Sequence, residues 1–460
     1  MTQTKFDAII IGAGQAGTPL AGRLSAAGMR VALIERALLG GTCVNTGCTP
    51  TKAMVASAYA AHLARRAADY GVAVEGSISV DMRAVKARKD RISGASRDGL
   101  EAWVKGMDHC TLYRGHARFE SATTIRVGDE LLGADRIFLN VGGRANVPDM
   151  PGLRDVDYLT NSTMMDVDFL PRHLVVVGGS YIGLEFAQMF RRFGSEVTIV
   201  EKGPRLISRE DEDTSLAVAE ILKEEGIALR LSAECISFSK QPSGPCVQVD
   251  CESGDRDVPG SHILLAIGRR PNTDDLGLEK AGVKTDDKGY VVVDEQLRTN
   301  VPGIWALGDC NGKGAFTHTS YNDFEIVAAN LLDNDPRKVS DRIDAYALYI
   351  DPPLGRAGMT EATVRKSGRN ALVGTRPMTR VGRAVEKGEA QGFMKILVDA
   401  DTKEILGCSV LGPGGDEAVH CVLDLMYAKA PVGVLQRAVH IHPNVAELLP
   451  TIAQELKPLD

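Results

Sequence analysis

The stretch Phe6–Asp7–Ala8–Ile9–Ile10–Ile11–Gly12–Ala13–Gly14–Gln15–Ala16–Gly17 decides how the rest of the chain is read. Its first half is a short apolar run rich in β-branched residues, the pattern of a buried strand. Its second half is a glycine turn, followed by a helical stretch to Gly28 and a second strand, Val31–Ile34, that ends at Glu35. Gly12 permits the tight turn, Gly14 lets backbone approach a pyrophosphate, and Gly17 lets helix and strand pack closely. The helix N-terminus offers unpaired N–H groups and the positive end of its dipole to phosphate. A lone GxGxxG is commonly only a turn. Here the strand, the helix and a terminal acid placed to receive ribose hydroxyls point to a dinucleotide site.

The same design recurs downstream. Strand Leu174–Val177 leads through Gly178–Gly179–Ser180–Tyr181–Ile182–Gly183 into a helix to about Phe193, then strand Glu196–Val200 and Glu201. Ser180 stands where the close-approach glycine is expected. Gly178 and Gly183 keep the other two positions. Glu201 favours the free ribose 2′-OH of NADH over the 2′-phosphate of NADPH; Lys202, Arg205 and Arg209 follow closely and leave NADPH possible. Two βαβ units in one chain imply two dinucleotide sites.

The 460 residues exceed one core, and 44% hydrophobic with 25% charged residues is ordinary globular composition. A net charge of −7 offers no basic footprint for nucleic acid. No apolar run approaches the ~20 residues that cross a bilayer. The N-terminus lacks a signal-peptide layout, and nine cysteines, odd in number and mostly scattered, do not make a secreted disulfide framework. A cytoplasmic protein without membrane or nucleic-acid partners is expected. Between the units lie a helical region (about 50–105) and an alternating β pattern (about 110–140). Residues 285–310 read as strand-like, the pattern around Phe393–Val398 suggests an antiparallel sheet, and the tail Leu456–Asp460 reads as loosely held.

Between the first unit and that helical region sits Gly40–Gly41–Thr42–Cys43–Val44–Asn45–Thr46–Gly47–Cys48–Thr49–Pro50–Thr51–Lys52. Two unrelated buried thiols are the commoner fate of cysteines. A zinc site lacks a second Cys/His cluster to complete four ligands, so no metal is expected. The glycines let backbone lie against a planar ring. Lys52, one helical turn after Cys48, adds positive charge, which lowers a thiol pKa, as a helix N-terminus also does.

Together with the two glycine fingerprints, GGTCVNTGCTPTK resembles the pyridine nucleotide-disulfide oxidoreductases of class I: dihydrolipoamide dehydrogenase, glutathione reductase, mercuric reductase and relatives. The resemblance spans essentially the whole chain. Ala266–Ile267–Gly268–Arg269–Arg270–Pro271–Asn272 is similar to the family's exit from the nicotinamide domain. Thr299 through Ala306–Leu307–Gly308–Asp309 is similar to its second FAD motif, with Asp309 on the ribityl chain. His440–Ile441–His442–Pro443–Asn444–Val445–Ala446–Glu447 matches its HPxxxE. One departure is Asn140–Val141–Gly142–Gly143, where relatives carry Ala-Thr-Gly; the FAD contact is expected through Gly142.

The resemblance implies an α/β fold with two Rossmann-like domains and a C-terminal α+β dimerisation domain. The expected segments are 1–160 (FAD, first part), 161–284 (NAD(P)), 285–340 (FAD, second part) and 341–460 (dimerisation). It implies FAD held by Gly12, Gly14, Gly17, Glu35, Gly41, Thr42, Lys52, Gly142, Gly308 and Asp309. NADH, or NADPH, would be held by Gly178, Gly183, Glu201, Gly268 and Arg269. Cys43 and Cys48 would form a redox-active disulfide, with Cys48 the flavin-side thiolate and Cys43 the exchange thiol. Tyr181 would cover the nicotinamide pocket, Glu185 would pair with Lys52, and His442, oriented by Glu447, would be the acid/base. That pair reaches the disulfide of the other subunit, which implies a homodimer with a shared active site.

Substrate is read by differences. The threonines around the cysteines resemble mercuric reductases, yet the last cysteine is Cys421, so the tail lacks the metal-delivering pair, and His442 is present. Gly22 stands where glutathione reductase carries a glutathione-contacting Arg. Glu201 and the HxHP form favour lipoamide, with a lipoyl-carrying protein as a possible partner. Copper-reducing flavoproteins, similar around Phe316–Thr317 and Asp323–Phe324, are an alternative, and so is a redox sensor without turnover. His318 and Cys310 are read as structural.

Overall fold

The buried run Ala8–Ile11 is the central strand of a five-stranded parallel sheet, flanked by Ile137–Leu139 and Val31–Glu35, with Ile304–Ala306 and Cys110–Arg114 at the edges. Its four side chains are fully or almost fully buried, as an apolar run flanked on both sides requires. The computed structural model describes residues 3–242, 244–250 and 256–459; Met1, Thr2 and Asp460, at the ends read above as leaderless and loosely held, lie outside them. Helix Gly17–Ala26 starts at the third glycine and buries Leu20, Ala21 and Leu24 against this sheet.

A second five-stranded parallel sheet repeats the plan in the order Leu159–Thr160, His262–Leu265, His173–Val177, Glu196–Val200, Ala228–Arg230. Its helix, Tyr181–Phe193, buries Leu184, Phe186, Phe190 and Phe193. The helical region after the cysteines is two long helices, Cys48–Arg65 and Met82–Lys105, joined through a short turn at Ala67–Tyr70. Met54, Ala58 and Met82 pack into the core of the second unit, so the cysteine-bearing helix docks on helix Tyr181–Phe193. The C-terminal region is a six-stranded antiparallel sheet, Ala345–Leu348, Leu354–Gly358, Ile405–Leu411, Phe393–Asp399, Ala371–Pro377 and Lys457–Pro458, backed by helices. The fold class read from the sequence is the one observed.

Two local readings are corrected. Residues 285–310 contain a single strand, Ile304–Ala306; the rest is turns, isolated bridges and the start of a 3-10 turn at Gly308–Asn311. Asp286 and Asp294 cause this, because each Oδ1 accepts two backbone N–H groups at 2.9 Å (Lys288 and Tyr290; Gln296 and Arg298), a side-chain turn that competes with a ladder. The tail is not loose. Lys457–Pro458 pairs with Leu372–Val373, and the Leu459 N–H reaches Ala371 O at 2.9 Å. Pro458 is tolerated because the strand lies at the sheet edge.

Candidate active site

A cleft of about 1760 Å³ runs from the first glycine turn, past the cysteines, to Tyr181 and the C-terminal strand Ala345–Leu348. That is more than the ~300–1,000 Å³ that takes one small ligand. Gly12, Gly14, Glu35, Gly41, Thr42 and Gly142 line one end, and Gly268, Arg269 and Asp309 line its wall. Cys43, Cys48, Lys52, Tyr181 and Glu185 line its middle. Gly17, Gly178, Gly183, Glu201 and Gly308 sit behind the surface and shape it. His442 and Glu447 are not among the lining residues of their own chain.

The glycine turns are demanded by the protein's own packing. A Cβ at Gly12, where φ is +103°, would lie 2.2 Å from Asn140 O, and one at Gly17 would lie 2.0 Å from Gly12 O. In the second unit Gly178 (φ +117°) would meet Ala266 O at 2.4 Å, and Gly183 would meet Gly178 O at 2.1 Å. Gly14, read as the point of pyrophosphate approach, also faces a protein atom: its Cβ would meet Asn140 Oδ1 at 2.9 Å. Asn140 accepts the Gly17 N–H at 2.9 Å and donates to Leu307 O at 3.0 Å. The departure from Ala-Thr-Gly is thus a buried clamp between the two motifs expected to hold FAD. Its position in the sequence flagged it, but its side-chain partners lie 123 and 167 residues away.

The two terminal acids behave alike. Glu35 accepts N–H groups from Ala13 at 2.9 Å and Ala37 at 2.8 Å; Glu201 accepts them from Gly179 at 2.6 Å and Gly203 at 2.7 Å. Each holds its glycine turn, and a carboxylate with about four acceptor sites can still receive ribose hydroxyls. Of the three basic residues after Glu201, Arg209 alone lines the cleft. At Asp309 burial pushes the carboxyl up, while Arg269, at 3.6 Å, pulls it back. Close-packed glycine turns, a helix N-terminus, paired acids and a long cleft fit two dinucleotides, FAD and NAD(P)H.

Cys43 lies in the short helix Gly41–Asn45, and Cys48 opens helix Cys48–Arg65. Both are free thiols, hydrogen-bonded to each other, and Cys48 Sγ lies 3.2 Å from Thr317 Oγ1. The hydrogen bond from Cys43 is the largest influence on Cys48 and lowers it to about 6, helped by Thr317 and Lys52 against burial and Glu185. Cys43 moves the opposite way, raised by the same hydrogen bond and by burial. The pair therefore carries its negative charge on Cys48. Lys52 Nζ reaches Glu185 Oε2 at 2.7 Å and stands 4.4 Å over the Tyr349 ring, whose backbone N–H bonds Glu185 Oε1 at 3.1 Å.

Several residues at the site carried no signal of their own. Tyr346 and Tyr349 sit on and just after the first strand of the C-terminal sheet and reach the cleft only because that sheet docks there. Glu210 and Asp211 lie in the charged run Arg209–Glu210–Asp211–Glu212–Asp213, and both are buried. They face the buried Arg356, and Lys395 bridges Asp211, Asp213 and Glu361. His318 Nε2–H donates to Ala345 O, 2.7 Å away, and the ring stacks on Phe316; burial lowers its pKa. His442 Nδ1 is 2.9 Å from Glu447 Oε2, with the imidazole exposed beside the exposed Val439 and Ile441.

Comparison with known proteins places these features. Residues 6–323 match the model of the pyridine nucleotide-disulphide oxidoreductases, and residues 345–453 match that of their dimerisation domain. The chain is 35% identical to the probable pyridine nucleotide-disulfide oxidoreductase RclA of Escherichia coli, over 97% of this chain and 98% of that protein. It is 32% identical to a dihydrolipoyl dehydrogenase of Thermus scotoductus (98% and 97% covered) and 33% identical to a mercuric reductase of Streptomyces lividans (98% and 96%). The solved Cu(II) complex of the HOCl-induced flavoprotein disulfide reductase RclA from Escherichia coli superposes with a TM-score of 0.89, at 33% identity, over 99% of this chain and all of that one.

Proposed function

We propose, from the premise that this chain belongs to the pyridine nucleotide-disulphide oxidoreductase family, that it reduces a small disulfide at the Cys43–Cys48 pair. The chain is a FAD-dependent enzyme of that class. The observation that carries the reading is the thiol pair itself: two adjacent sulfurs with the charge drawn onto Cys48, backed by the Lys52–Glu185 pair. FAD, when bound, supplies the two-electron relay between nicotinamide and the cysteines. One NAD(P)H, one proton and one disulfide give NAD(P)⁺ and two thiols.

Each residue then has a role. Tyr181 covers the nicotinamide side of the cleft, and Glu201 favours NADH. Cys48 is the flavin-side thiolate, stabilised by Lys52 and Thr317. Cys43 attacks the substrate disulfide and passes through a mixed disulfide, which Cys48 resolves. His442 of the partner subunit moves the proton to and from the departing thiol, and Glu447 holds its tautomer. The dimerisation domain supports the homodimer this requires. The His442–Glu447 dyad favours a disulfide acceptor, because thiol exchange needs an acid/base and reduction of a metal ion does not. Lipoamide ranks first, and a cytoplasmic setting keeps the dithiol cycling.

Reduction of a metal ion is the second reading, favoured by the Cys48 thiolate at the cleft, a soft ligand for copper, and by the likeness to RclA. One panel tests both. The purified flavoprotein is given NADH or NADPH against lipoamide, oxidised glutathione, Cu(II) and Hg(II). Lipoamide turnover dominant over the metals supports the first reading; dominant Cu(II) or Hg(II) turnover overturns it.

A further inference from the structure

Tyr181 is held more tightly than a lone cover needs to be. Its hydroxyl donates to Glu210 Oε1 at 3.2 Å, and Tyr346, from the C-terminal sheet, donates to the same oxygen at 2.5 Å. Its ring meets Tyr346 edge-on at 5.5 Å and Phe316 edge-on at 6.2 Å. Tyr346 stacks on Phe316 at 5.6 Å with the planes 13° apart, and Thr317, the next residue, touches Cys48. Glu210 itself is buried and just precedes helix Glu212–Glu224 of the second unit. Its other oxygen has no hydrogen-bond partner among the described residues and faces the Arg356 guanidinium at 3.7 Å. A buried carboxylate with an orphaned oxygen is costly, and this one is sustained by one cation and two phenols. Both phenols stay protonated, since burial and the carboxylate raise them.

We infer that Glu210 is a positioning residue: with Tyr346 and Arg356 it latches Tyr181 over the nicotinamide side of the cleft and so sets how tightly the nucleotide binds. This rests on the reading of Tyr181 as the cover of that pocket. Displacing the ring breaks the Tyr181–Glu210 bond and strips one of two donors from a buried anion. The C-terminal sheet, through Tyr346 and Arg356, thereby contributes to the affinity for a nucleotide that it does not itself hold. Weakening the latch lowers the cost of opening, so the nucleotide binds more tightly.

The test is a double-mutant cycle of Tyr181→Phe and Glu210→Gln in the flavoprotein. It is read as the calorimetric Kd of NAD⁺ and as the KM against kcat for NADH with ferricyanide, which draws electrons without the cysteine pair. Each single variant is expected to lower Kd and KM by roughly three- to tenfold, the worth of one hydrogen bond, with kcat within about twofold. Glu210→Gln keeps an acceptor and removes the charge that strengthens the bond, so the double variant is expected to match Tyr181→Phe, in which that bond is already gone. Additive effects, or an unchanged Kd in Tyr181→Phe, overturn the latch. Should Glu210→Gln lose its fold, Tyr346→Phe replaces it, since it removes the neighbouring hydroxyl and leaves every charge; coupling to Tyr181→Phe is again required, and its absence is fatal to the idea. Failure of the unaltered chain to oxidise NADH or NADPH at all, even with ferricyanide, would instead fault the functional reading.

Discussion

At Cys48 four neighbours act on one thiol: Cys43, Thr317 and Lys52 draw it towards the thiolate, and Glu185, together with burial, opposes them. The sign gives a pH dependence. With the pKa lowered to about 6, the thiolate persists above that pH and is lost as pH falls through it. In the two-electron-reduced enzyme, the long-wavelength thiolate–flavin absorbance should fade over that window; a band unchanged well below it would contradict the assignment. Thr317→Val removes one donor and should move the midpoint up by about one pH unit, the scale of a hydrogen bond to a charged group. Cys48→Ser should retain FAD and lose both the band and disulfide turnover, and retained turnover would sink the mechanism. Cys43 and Cys48 were legible as a redox pair through the resemblance of their motif to the family's. Thr317 was not, since it lies 269 residues from Cys48 in the chain.

Whole elements meet at Asn140. It ends the strand-to-turn segment after Ile137–Leu139 and clamps the start of helix Gly17–Ala26 to the carbonyl of Leu307, just before the Gly308–Asp309 turn. Asn140→Ala leaves the buried Gly17 N–H unpaired, at about 1–3 kcal/mol, and leaves the Leu307 carbonyl only the weaker Cys310 Sγ donor at 3.3 Å. A lower melting temperature and FAD lost on gel filtration are expected, and Asn140→Asp, which keeps the acceptor for Gly17, should fall between. A variant as stable as the parent would show that the clamp is not needed. The same scale explains the misread stretch 285–310. Its apolar residues suggested strands, but Asp286 and Asp294 satisfy the backbone locally and end any ladder.

For the whole molecule, His442 and Glu447 are paired yet lie outside the cleft of their own chain, beside the exposed Val439 and Ile441. The shared site proposed above would account for that geometry. Ile441→Asp should weaken the dimer in sedimentation and reduce disulfide turnover while NADH–ferricyanide activity persists; a monomer with full disulfide turnover would refute the shared site. His442→Gln should cost about 10²- to 10⁴-fold in disulfide turnover, the usual worth of general acid/base catalysis, with little effect on ferricyanide. Sequence alone determined the parallel sheets and the two dinucleotide turns, because short-range rules govern them: apolar runs and glycine at positive φ; the cysteine pair was read from the motif's resemblance to the family. Only the tertiary structure decided that Glu210 and Asp211 are buried, that Tyr346 and Tyr349 reach the cleft, and that Asn140 joins two motifs. Those outcomes depend on which surfaces dock, and docking is set by the packing of elements far apart in the chain, for which no local pattern stands.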